Sequence, residues 1–209
     1  MESSTAHKAR SHQKTTKKPP KNNNTWNQAL LTTSNIKKFF TNREREVSWR
    51  TKQEAYKWNS WLHHHGSDAN PNCSLCDNHD ADEVEHLLVS CTISRRILDN
   101  CASILRRLTT KIFPLDDDLI KYNLVDITEE QLEWLIPLKL VNIAKLKLLK
   151  WRWTLKASNR TLDNTTDWIE TLTTELEDDL LIFIENIKDN YNEEFQQKIH
   201  LRRRIQEDV

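Results

Sequence analysis

Residues 70–91 read NPNCSLCDNHDADEVEHLLVSC. Within them Cys73, Cys76, His86 and Cys91 stand in the pattern C-x2-C-x9-H-x4-C. Two cysteines at this spacing on a tight turn bring both thiolates to one ion at about 2.3 Å. A short helix over 85–90 would place His86 on its surface and Cys91 just past its end. Three thiolates and one imidazole fill a tetrahedron and leave no open position, so the spacing predicts one structural, non-catalytic Zn2+. The stretch 67–83 is polar and poor in core residues; a metal would hold it, because binding energy there is folding energy. Two alternatives stand beside this reading. Cys91 could be an ordinary buried thiol, and His79 could replace His86. Cys101 falls in an apolar helical pattern with Ile97, Leu98, Ile104, Leu105 and Leu108, and belongs to the core.

The same 22 residues resemble the zinc-binding module that follows the reverse transcriptase in many non-LTR retrotransposons. That module reads approximately P-x-C-x-x-C, a short acidic loop, then Glu-Thr-x-x-His-Leu-x-x-x-Cys. Residues 70–76 and 83–91 match it, with Glu85 before His86 and Leu87–Leu88 after it; Val84 stands near where Thr is frequent. The Trp-bearing segment upstream (Trp58, Trp61) and the Arg-bearing helix downstream (Arg95, Arg96) are similar in kind. The resemblance implies a zinc knuckle that helps position RNA or DNA, without polymerase activity. The chain carries no Tyr-x-Asp-Asp, and Pro114-Leu115-Asp116 does not read as the restriction-like nuclease of some relatives. Asp116–Asp118 is better read as a loop and helix cap.

Composition agrees with a non-enzymatic reading. The chain has 209 residues and a single glycine, Gly66, where an average protein of this length would hold about 15. Phosphate-cradling loops and dinucleotide turns need glycine for φ > 0 and close approach. A mostly α chain is expected, organised around a small CCHC knuckle. No apolar run is long enough to span a membrane, and no apolar leader is visible, so an intracellular protein, nuclear or cytoplasmic, is expected.

The zero net charge conceals an asymmetry: residues 1–62 carry 13 Lys/Arg against 4 Asp/Glu, leaving the remainder at −9. Residues 1–25 are polar and basic and predict a disordered, phosphate-seeking arm. Residues 26–113 predict helices flanking the knuckle, with 70–92 as its core, and residues 114–209 a further helical region. Over 26–62 two helical pieces are expected, punctuated at Asn35 or Thr41–Asn42. Arg45, Trp49, Lys52 and Tyr56 recur at helical spacing and read as a cation–aromatic face for nucleic acid; packing against a neighbour is the alternative. His63–His65 read as a polar helix end.

Further along, Thr92–Phe113 reads as a helix with a basic side from Arg95 and Arg96. Residues 128–131 form a capping box, and Pro137 should kink or restart the helix that follows. Val141, Ala144, Leu148, Trp151 and Leu155 then form an apolar stripe. Lys139, Lys145, Lys147, Lys150, Arg152 and Lys156 surround it, either as solvated flanks or as a second nucleic-acid face with Lys150 and Trp153. Residues 163–205 read as one long amphipathic helix from Ile169 to Ile199, packed on the domain and available to a protein partner. Its apolar steps average about 3.75 residues, against a heptad coil. Residues 163–194 hold 11 acids and one lysine, which could neutralise 139–156 in cis. The function this predicts is zinc-stabilised RNA or DNA binding. A helical protein–protein module, or an element fragment without a role, is the alternative.

Overall fold

The computed structural model describes residues 36–53, 55–56, 58–68, 70–76, 80–124, 131–158 and 165–202. The expected basic arm over 1–25, the helical piece before Asn35, the capping box at 128–131 except Gln131, and the alternative ligand His79 lie outside them. Helices account for 73% of the described residues and none is in a strand, as the sequence predicts.

The described residues form seven α-helices in order: α1 (Asn42–Lys52), α2 (Asn59–His64), α3 (Thr92–Leu108), α4 (Asp117–Tyr122), α5 (Leu135–Ser158), α6 (Thr165–Asn190) and α7 (Glu193–Lys198). Several boundaries have a visible chemical cause. Thr41 opens α1 with a reciprocal capping box: its hydroxyl accepts from the Glu44 N–H at 3.2 Å, and the Glu44 carboxylate accepts from the Thr41 N–H at 2.6 Å. Asp116 caps α4 by accepting from Leu119 N–H at 2.8 Å, the capping role expected for it. Asn123, at φ 53, closes α4 in the left-handed region. Pro137 sits in the first turn of α5 after a 3-10 turn at Gln131–Trp134, so it restarts the helix where its missing N–H costs nothing.

The long helix expected over 163–205 is two helices. It breaks at Tyr191–Asn192, where Asn192 caps α7 by accepting from Phe195 N–H at 3.0 Å. The apolar register survives the break because Tyr191 stacks on Phe195 at 4.4 Å and both rings pack on Phe39. The turn brings Leu201 back to pair with Thr109.

One core runs through the chain from Ile36 to Leu201 and is continuous across residue 113. The α3 stripe of Ile97, Leu98, Cys101, Ile104, Leu105 and Leu108 is buried as read from the sequence. It faces α5 and α6, while α5 also packs on α1. On α5, Val141, Ala144, Leu148 and Leu155 are buried, and Trp151 meets Trp168 edge-on at 4.7 Å. Among the described residues no helix is long and apolar enough to cross a membrane.

Candidate metal centre

Two short backbone devices deliver four candidate ligand side chains to one point. The first is an antiparallel bridge between Asn72 and Ala81, in which Cys73 N–H donates to Asp80 C=O and Asp82 N–H to Pro71 C=O, both at 2.8 Å. It folds the chain back around Cys73 and Cys76. The second is a π-turn over His86–Ser90, with Cys91 at its end as the N-cap residue of α3. The sequence predicts a helical turn here; the wider π geometry lets His86 and Cys91 face the same side. Gly66, at φ 82, turns the chain out of α2 and toward the bridge.

Cys73, Cys76, His86 and Cys91 are all buried, and their donor atoms lie within 4.8 Å of one another. A tetrahedron with bonds of about 2.3 Å has edges of about 3.8 Å. The cluster is therefore near the size of a one-ion site, and His86 Nε2 already stands 3.2 Å from Cys76 Sγ. The donor set fits a single tetrahedral metal ion.

The surroundings favour thiolate at Cys91. The Cys91 thiol is held below its usual range, first by the Cys73 thiol donating to it and then by the N–H groups of Ile93 and Ser94 at the start of α3. Cys73 is pushed up in turn, as the donor in that pair and by burial. Leu75 N–H donates to Cys73 Sγ at 3.4 Å. His86 is oriented from behind: its Nδ1 lies 3.2 Å from Ser90 Oγ and 3.5 Å from an Asp80 carboxylate oxygen. These partners favour a proton on Nδ1 and leave Nε2 as the ligand atom. Neither Ser90 nor Asp80 stands out in the sequence. Ser90 could have been found, since it lies one helical turn from His86; nothing local marks Asp80. Cys101 is fully buried in the core, and burial pushes its thiol up to about 12.

The expected nucleic-acid residues separate into two groups. Arg45, Trp49, Lys52 and Tyr56 do not form one face. The buried side of α1 is Glu44, Val47, Ser48, Thr51 and Lys52, so Lys52 points into the protein and its pKa falls to about 8 by desolvation. Tyr56 lies beyond the helix end, edge-on to Trp58 at 5.2 Å and beneath Arg50. Arg45 is half-buried and bonds Asn42, whereas Trp49 is 58% exposed. Arg95, Arg96, Lys150 and Trp153 do lie at the surface. Arg95 stands 3.8 Å from Asp117, and the Arg152 guanidinium lies 5.2 Å from the Trp153 ring.

The basic flank of α5 is largely internal. Lys139 pairs with Glu44, Lys145 donates to Asn123 at 2.8 Å, and Arg152 pairs with Asp82, all buried. Lys147 bridges Glu175 and Asp179 of α6, so the acidic helix neutralises α5 in cis at that point. His63 and His64 close α2 as exposed residues, and His65 stacks on Trp61 at 3.9 Å, consistent with a polar helix end. No protein-family model, no curated protein and no solved structure matches this chain.

Proposed function

We propose that this chain is a zinc-stabilised nucleic-acid-binding protein, non-catalytic by itself, resembling the tail of a retrotransposon reverse transcriptase. The observation that carries the reading is the buried cluster of Cys73, Cys76, His86 and Cys91. Three thiolates with one imidazole suit Zn2+ in tetrahedral geometry, and four protein ligands suit a structural ion. Exposed cations flank this centre in the chain: Arg95 and Arg96 follow Cys91 on α3. Lys150 and the half-exposed Trp153 lie one turn apart on α5, so a ring for base stacking stands beside a cation for phosphate. Lys52 and Tyr56 drop out of the proposed contact set, and Arg45 and Trp49 are kept as its outlying members.

The apolar stripe of α6 is used by the chain's own core, which favours nucleic acid over a helical partner on that face. Metal content on the purified chain tests the centre: one zinc per chain is expected, lost in His86→Ala. Binding to single-stranded and duplex RNA and DNA across a salt titration tests the function. No binding to any of them at low salt would reject it.

A further inference from the structure

The knuckle is joined to α5 by a fully buried charge pair. Asp82 is 0% exposed and sits between the two ligand pairs, after Cys76 and before His86. Its backbone N–H closes the bridge onto Pro71, and its C=O accepts from Ser60 Oγ at 3.1 Å. Its carboxylate accepts from Asn59 N–H at 2.9 Å at the start of α2. The same carboxylate takes Arg152 Nε at 2.8 and 3.0 Å, and a second guanidinium nitrogen completes the fork. Arg152 is 1% exposed, and its guanidinium lies against two indoles, buried Trp58 at 4.9 Å and Trp153 at 5.2 Å.

We propose that Asp82 is a positioning residue that makes metal binding and the ordering of the C-terminal end of α5 one linked equilibrium, so that metal occupancy sets how Trp153 is presented. The proposal rests on the reading that the four-residue cluster holds zinc. A guanidinium cannot shed its charge, so Arg152 stays buried only while a carboxylate is held against it. Asp82 is held there by a loop whose order depends on the ion, because the loop itself contributes few core side chains. Releasing the ligands frees Asp82, and Arg152 must then leave its pocket and carry Trp153 with it. Coupling is reciprocal: whatever breaks the pair also weakens the metal. Lys147, another α5 cation, is engaged with Glu175 and Asp179 on α6 and serves as the control.

The test uses the full chain, with zinc stoichiometry, zinc affinity by competition with a coloured chelator, and hydrogen exchange across residues 148–155. In the wild type, zinc withdrawal is expected to raise exchange across 148–155. Asp82→Asn is expected to weaken zinc by about tenfold or more, while Lys147→Ala leaves affinity unchanged. In the double variant Asp82→Leu/Arg152→Met, exchange at 148–155 is expected to stop responding to zinc. A wild type that binds one zinc but shows no change in exchange on its removal would overturn the coupling alone. So would Asp82→Asn holding zinc at wild-type affinity. A wild type that binds no zinc would overturn the coupling and the metal reading together. Should Asp82→Asn fail to fold, the wild-type exchange comparison decides.

Discussion

Lys139 on α5 and Glu44 on α1 form a buried ion pair at 2.8 Å. The same glutamate completes the capping box on Thr41, and the lysine also donates to the Phe39 carbonyl at 3.2 Å and lies 4.7 Å from the Phe183 ring. One pair thus fixes the start of α1 against α5. Removing one partner leaves a buried charge unmatched, so Glu44→Ala is expected to cost about 3–5 kcal/mol. Glu44→Leu/Lys139→Met should recover most of it. Urea unfolding checks both; a single-variant loss under about 1 kcal/mol would mean that the pair is solvated.

The cysteines divide by role. Cys91→Ser is expected to abolish stoichiometric zinc, because a hydroxyl is a poor replacement for a thiolate ligand. Cys101→Ser should keep one zinc per chain and lose about 1–3 kcal/mol from burying a hydroxyl in an apolar helix interface. Metal analysis and denaturant titration on the two variants separate the centre from the core. Zinc retained in Cys91→Ser would remove Cys91 from the ligand set.

Lys52 predicts a pH dependence of definite sign. Its pKa in the folded protein is about 8, against 10.5 for an ordinary lysine, through desolvation. Between these values the unfolded chain binds more protons, so this group makes stability rise with pH. Below about pH 8 both states are protonated and the burial cost is fully present. Lys145, lowered well below the usual value by burial and by the Lys52 charge, acts in the same direction. Cys101 and Tyr56, each pushed up to about 12 by burial, oppose the trend above pH 9 and pH 10. Lys52→Met should therefore stabilise the protein by about 2–3 kcal/mol at pH 7, with the gain shrinking from pH 8 to 10.5. A gain constant over that range would place Lys52 in solvent.

Nucleic-acid affinity should respond differently to the two surface residues at the end of α5. Lys150→Ala is expected to reduce the slope of log affinity against log salt by about one. Trp153→Ala should cost about 1–3 kcal/mol of binding to single strands and leave the slope unchanged. Lys52→Ala, at a side chain buried in the protein, should leave the slope unchanged too. Equal effects of all three on the slope would mean a non-specific electrostatic surface without the assigned contacts.

Periodicity and ligand spacing are local properties, and local physics made them legible. The stripes on α3 and α5, the cap at Asp116, the restart at Pro137 and the Cys/His cluster at 73, 76, 86 and 91 all rest on residues near one another in the chain. The break at Asn192 was hidden because Tyr191 and Phe195 keep the apolar register through it. The partners of the charges were hidden for a stronger reason. Lys52, Lys139, Lys145 and Arg152 read as solvated or phosphate-seeking, since hydropathy scores a cation as surface. The fate of Lys139, Lys145 and Arg152 depends on Glu44, Asn123 and Asp82, which lie 22 to 95 positions away in sequence from the cations they meet. A cation is buried when a partner is held against it, and only the packing of α1, α4 and the knuckle on α5 brings those partners in. The sequence by itself determined a helical chain around a Cys3His cluster; the tertiary structure decided which of its charges face the solvent.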